Sequence, residues 1–196
     1  MTQHVLVDRG TLANARLTQG ETPPLNEGDV RLKVDAFSLT SNNVTYGVFG
    51  DMMKYWDFFP APDGAGRVPV WGFATVAESR HPGVAVGTRV YGYLPMSDGF
   101  VVKAGNVRPG GFVDTAAHRA ALAPVYNSYV FTHADPLYAP ETEALQMLFR
   151  PLFTTSFLID DFLADNGFFG ARQVIFSSAS AKTSYPTAKL LRARGG

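Results

Sequence analysis

Apolar and polar residues alternate from Val30 to Phe37 (VRLKVDAF), the period of a strand with one face buried and the other wet. Phe73–Ser79 (FATVAES) and Arg89–Leu94 (RVYGYL) carry the same β-branched and aromatic texture. The link between them, HPGVAVG, is punctuated by Gly and Pro. Gly99–Ala104 (GFVVKA) reads as a fourth strand. Short strands at this spacing, with a turn signal in every gap, predict a small antiparallel barrel or sandwich.

Near residue 138 the period changes. Glu141–Arg150 is free of Gly and Pro behind Pro140, and Thr154–Asp165 sets apolar residues three and four apart before Asn166-Gly167 offers a C-cap. Two helices are expected there. The continuous run Gln173–Ser178 (QVIFSS) predicts a buried strand. Thr183–Arg194 predicts a helix with Pro186 in its first turn, where a missing N–H costs least. The expected division is therefore residues 1–138 and 139–196.

Composition narrows the partners. With 196 residues and 46% apolar content the chain has enough material for a solid core, which excludes a disordered protein. Lys+Arg and Asp+Glu both total 17 with no charge block, which argues against nucleic acid or an anionic membrane and for a small-molecule partner, with a homodimer allowed. The absence of cysteine rules out disulfides and thiolate metal sites. His4, His81, His118 and His133 are scattered without ligand spacing, so no metal is expected. MTQHVLVDRG lacks the basic and apolar regions of a signal peptide, and no apolar run is long enough to span a bilayer. A cytoplasmic location is the expectation.

Three stretches carry a resemblance: GDVRLKVDAFSLTSNNVTYGVFG (Gly28–Gly50), VPVWGFATVAESRHPGVAVGTRVYGY (Val68–Tyr93) and VIFSSASAKTS (Val174–Ser184). In this order and spacing the chain resembles the medium-chain dehydrogenase/reductase superfamily. It looks like a zinc-free, quinone-oxidoreductase-like member, of a poorly characterised bacterial branch with a serine-rich nucleotide turn. The resemblance implies a mainly β GroES-like barrel followed by the start of an α/β Rossmann domain. It also implies a nicotinamide cofactor, NADP slightly favoured over NAD, and metal-independent reduction of a conjugated carbonyl or quinone. Zinc-dependent relatives have a cysteine after the first barrel strand and Gly-His-Glu where this chain has Gly72-Phe73-Ala74; both are missing. Relatives continue beyond the first strand–helix unit of the Rossmann domain, so the expectation is a truncated chain, an inactive fragment of a parent enzyme. The alternative is a non-catalytic GroES-like scaffold or binding module without a working cofactor site.

The family's glycine pattern, aligned on Val174-Ile175-Phe176, falls on Ser178, Ala181, Lys182 and Ser184, so no glycine stands in the turn. In its place are the hydroxyls of Ser177, Ser178, Ser180, Thr183 and Ser184, the Lys182 cation and a helix N-terminus, a donor set suited to phosphate. A serine-rich N-cap with Lys182 in solvent is the competing structural account. A P-loop is not supported, because no Gly-rich run precedes the lysine.

In quinone-oxidoreductase-like relatives the loop corresponding to Ser38–Tyr46 lines the nicotinamide cleft, and the resemblance assigns Asn43 and Tyr46 to it as catalytic candidates. An amide orients a carbonyl, and a phenol donates to a developing enolate oxygen. The competing reading is a turn at Asn42-Asn43 with Tyr46 capping the barrel. Thr155 sits where relatives present a threonine to the nicotinamide, or else faces a helix core. The aromatic segment Phe49–Pro69 reads as core, as a substrate wall or as a docking patch.

Overall fold

The computed structural model describes residues 1–62 and 64–195. The chain divides into two units, Met1–Glu143 and Ala144–Gly196.

In the first unit β1 (Thr2–Asp8) pairs with β2 (Ala15–Gly20). It pairs on its other side with the two-residue β4 (Ala65–Gly66), giving a three-stranded sheet. The remaining strands are β3 (Asp29–Ser38), β5 (Pro69–Ser79), β6 (Arg89–Pro95), β7 (Gly99–Arg108), β8 (Gly111–Asp114) and β9 (Ser128–Phe131). They close into an antiparallel barrel in the order β3-β5-β6-β9-β8-β7. All four strands read from the sequence between Val30 and Ala104 are present, and closure removes the free edges that an open sheet of this kind would expose.

Alternation along β3 explains the barrel wall. Val30 and Leu32 point inward and are fully buried with Val70, Val76, Val90, Leu94 and Val102. Each such side chain is worth about 1.5–3 kcal/mol of burial. Arg31, between them, faces out and bonds Glu78, its cross-strand partner, at 2.8 Å. Between Val34 and Ala36 the register against β5 slips, leaving Asp35 as an extra residue. Such a bulge re-aims a side chain. Asp35 turns to Thr75 Oγ1 at 2.6 Å and Arg89 at 2.8 Å, and Arg89 in turn grips Glu143 with two bonds of 2.6 and 2.7 Å. The hydroxyl of Tyr138 donates to the same carboxylate at 2.7 Å, so the C-terminal edge of the unit is tied to the barrel wall.

The aromatic segment resolves in favour of core. Trp56, Phe58 and Phe59 are buried, whereas Phe49, Met52 and Met53 are exposed. Trp56 lies between Gly50 and Gly66, where any Cβ would overlap the indole, so both positions require glycine for close approach. A buried ion pair anchors the segment from the other side. Arg119 (2% exposed) meets Asp114 (3%) at 3.0 Å, donates to the Phe58 carbonyl at 3.0 Å and lies over the Phe59 ring. Asp114 also accepts the backbone N–H groups of Lys103 and Ala116.

The second unit departs from expectation twice. The two helices predicted around Pro151 are one, α2 (Glu143–Asp165), with Pro151 inside it. Proline removes one ladder donor; immediately after it the hydroxyls of Thr154, Thr155 and Ser156 fold back onto the carbonyls of Arg150, Pro151 and Leu152. Asn166-Gly167 does stop the helix, with Gly167 at φ +55° and the Asn166 amide donating to the Phe162 carbonyl. The second correction is Gln173–Ser178, which forms no strand. A lone parallel strand has no neighbour to complete its ladder, and Ile175 is 91% exposed. Where the start of an α/β domain is expected, the structure has a turn and a helix without a sheet.

Helix α3 (Ser184–Ala193) holds Pro186 in its first turn, as expected. It is joined to α2 through polar contacts. Ser156, fully buried, donates to the Thr183 carbonyl at 2.8 Å, and Arg194 donates to buried Asp160 at 2.7 Å.

Candidate functional site

Ser38–Tyr46, read as a loop, contains a helix. α1 (Ser41–Val48) is opened by Thr40 as N-cap, whose hydroxyl accepts the Asn42 N–H while the Asn43 side chain accepts the Thr40 N–H at 2.7 Å. This is a capping box with Asn in the place usually held by Glu or Gln, which is why the pattern Thr-x-x-Asn is a weak signal in sequence. The other end of the Asn43 amide donates to the Pro69 carbonyl at 2.8 Å. Asn43 is therefore buried with both ends of its amide bonded to the protein, and it fastens α1 to the start of β5.

Asn42 and Tyr46 lie one turn apart on α1, and the Asn42 amide donates to the Tyr46 oxygen at 3.1 Å. Trp71 Nε1 donates to the same oxygen at 3.3 Å. With both lone pairs engaged by donors, the phenolic proton of Tyr46 is directed elsewhere. Burial pushes the phenol above its ordinary range, outweighing the two bonds that favour the anion.

Around Tyr46 stand Tyr55, from the aromatic segment, and residues that sequence reading missed. Tyr55 packs on it at 4.7 Å and Tyr93 edge-on at 5.6 Å, and Tyr126 lies 4.6 Å from Tyr93. Burial also raises Tyr93 and Tyr126, so three neighbouring phenols stay protonated through the neutral range. Trp71 and Tyr93 are cross-strand partners, a relation visible only once the β5–β6 register is known.

The other candidates belong to the second unit. Ser177, Ser178, Ser180 and Lys182 are exposed, and Ala181 N–H bonds the Ser178 carbonyl at 3.1 Å to form the turn. Thr183 and Ser184 are half-buried at the start of α3, and no side chain caps that helix. Within its first turn the Tyr185 N–H is taken by the Ala181 carbonyl at 3.1 Å and Pro186 has no N–H, which leaves the Ser184 N–H to face a ligand or water. Thr155 is exposed rather than core-facing, its hydroxyl turned to the Pro151 carbonyl at 3.2 Å. Among the described residues no three His, Asp or Glu side chains gather as a metal-ligand set. No helix among them is long and apolar enough to cross a membrane.

The six-stranded barrel has the GroES-like fold found in a solved quinone oxidoreductase. A quinone oxidoreductase of Pseudomonas syringae pv. tomato DC3000 superposes with a TM-score of 0.52 at 16% identity, over 100% of this chain and 51% of its own. The human synaptic vesicle membrane protein VAT-1 homolog-like protein gives 0.48 at 17% identity, over 98% and 53%. The mycobacterial protein Rv1454c, complexed with NADPH, gives 0.44 at 14%, over 100% and 56%. The chain spans about half the length of these structures. No curated protein matches it. By sequence the chain belongs to the family described as protein of unknown function DUF2855, which matches residues 37–196.

Proposed function

We propose that the protein is a metal-independent reductase that uses a nicotinamide cofactor, NADPH ahead of NADH, on a quinone or conjugated carbonyl. The observation that carries this reading is Tyr46: a protonated phenol whose oxygen is held by Asn42 and Trp71 and whose own proton points away from both. That is the arrangement a proton donor to a developing enolate or quinol oxygen requires. The Pseudomonas protein sharing this fold is a quinone oxidoreductase, which supports quinone as the substrate class.

Within this reading the exposed hydroxyls of Ser177, Ser178 and Ser180, the Lys182 cation and the uncapped start of α3 at Thr183 and Ser184 hold the cofactor phosphates. Thr155 supplies one further hydroxyl. The nicotinamide, when bound, supplies the hydride. Tyr46 gives its proton to the oxygen that becomes anionic and regains one from solvent. Asn43 acts as a positioning residue, because its amide is spent on Thr40 and Pro69.

One observation favours the second reading, a scaffold without redox activity: Gln173–Ser178 forms no strand behind the phosphate turn. Calorimetric titration with NADPH and an assay of NADPH oxidation by 1,4-benzoquinone separate the two. The reductase reading expects saturable binding, and a fall in kcat of about 10²–10⁴ for Tyr46→Phe. A folded chain that ignores NADPH assigns the scaffold, and an unchanged kcat in Tyr46→Phe removes the phenol from the chemistry.

A further inference from the structure

A cavity of about 330 Å³ lies in the first unit, away from the Tyr46 hydroxyl. Its volume falls at the lower end of the range for small-molecule sites, roughly 300–1,000 Å³. The walls are largely apolar, with Phe58, Phe59, Phe100 and Pro95 among them.

One of its cations has no ion-pair partner among the described residues. Three guanidinium groups border the space: Arg31, Arg67 and Arg119. Arg31 is matched by Glu78 at 2.8 Å and Arg119 by Asp114 at 3.0 Å. Arg67 meets no carboxylate among the described residues; its one bond runs from Nη1 to the Pro60 carbonyl, and its Nε is buried with no acceptor. Glu21, which also borders the cavity, is exposed and makes no ion pair with it. A half-buried cation without a counter-charge is costly unless something supplies one.

His4 stands on the same wall, with Nδ1 buried and unbonded. Burial first, and the neighbouring Arg67 charge second, lower its basicity, while Asp98 opposes them. It is therefore neutral at pH 7, offering one donor and one acceptor rather than a second cation. The site offers the unpaired Arg67 guanidinium, the neutral His4 imidazole and apolar walls, with His118 also on its border.

We propose that this cavity binds a small organic carboxylate with an apolar body, its carboxylate held by Arg67 and His4 and its hydrocarbon against Phe59 and Phe100. Arginine suits a planar carboxylate because its fork matches both oxygens. The flat apolar walls select an aromatic or branched acid over an inorganic anion, which would leave them wet. This ligand site is separate from the reductase reading and stands whether or not the chain binds NADPH.

Benzoate is the probe, and the Nε–H resonance of Arg67 in the ¹⁵N-arginine-labelled 196-residue protein is the readout. Benzoate at millimolar concentration is expected to shift that resonance saturably. Benzamide, of the same shape without the charge, is expected to bind at least about tenfold more weakly, consistent with a charged hydrogen bond. Arg67→Gln is expected to lose benzoate binding by a similar factor. Absence of a saturable shift, or equal binding of benzoate and benzamide, overturns the proposal. So does full retention of benzoate binding in a folded Arg67→Gln variant. Should that variant not fold, the benzoate–benzamide comparison on the unaltered protein decides alone.

Discussion

The two units bury opposite chemistries. In the barrel, Val30, Leu32, Val70, Phe73, Val90 and Leu94 reach zero exposure. In the second unit the deeply buried side chains are Ser156, Asp160 and Thr187, while Phe149, Phe153, Phe157, Leu158 and Phe162 remain open on α2. The difference follows from how each architecture finishes its hydrogen bonds. A closed barrel pairs every wall strand with two neighbours, so its inner face is apolar and its outer face wet without further help. A pair of helices needs a third layer before it encloses an apolar stripe. What α2 and α3 share instead is a polar seam, Ser156 with Thr183 and Asp160 with Arg194.

The comparison breaks most visibly at the buried pair of Arg119 and Asp114 in the barrel unit. Arg119→Ala leaves Asp114 buried without its cation and is expected to cost about 3–5 kcal/mol. The check is the urea midpoint of the purified chain, and a shift below about 1 kcal/mol would mean that Arg119 contributes little beyond a surface pair.

A smaller effect is expected at the edge of the barrel. Arg89, then Tyr138, hold the Glu143 carboxyl below its ordinary value of 4.5 against the opposing effect of burial. Its folded value is depressed, so its contribution is complete above 4.5 and is lost as pH falls through the lower, folded value. Glu143→Gln is expected to flatten that acid limb of the stability profile and to leave the slope above pH 6 unchanged. An identical acid limb in the variant would remove Glu143 from the account.

The least change is expected in the second unit. Ile175→Asp alters a 91% exposed side chain, so the unfolding midpoint should move by no more than about 0.5 kcal/mol. Solubility should rise, because an apolar surface residue is replaced by a charge. A loss of several kcal/mol would show that Ile175 is packed in solution.

How far sequence carried the reading follows the same division. Val30–Phe37 announced β3 because alternation is a local property of a half-buried strand. Gln173–Ser178 had an equally apolar texture, but a strand exists only with a partner, and no local pattern encodes the partner's presence. Pro151 suggested a break between two helices; hydroxyls at 154–156 follow it in one continuous helix, a tertiary and side-chain outcome that propensity does not register. At the candidate site, the resemblance pointed to Tyr46 and Asn43, but not to which of them bonds the protein's own backbone. Whether an amide faces a ligand or a carbonyl depends on the approach of Pro69, 26 residues away in the chain. Tyr93, Tyr126 and Trp71 needed register and closure before they became neighbours of Tyr46.

Both tryptophans of the chain, Trp56 and Trp71, belong to the first unit. The indole of Trp56 is sealed between Gly50 and Gly66, whereas that of Trp71 is stacked on Tyr91 and bonded to the Tyr46 oxygen. Ultraviolet light absorbed at the red edge of the protein spectrum is therefore captured by the barrel unit alone. Trp56 emits from a dry, rigid setting at short wavelength, and Trp71 reports on the phenol it touches. The helical unit is dark at those wavelengths, so the colour and intensity of the emission report on the barrel unit.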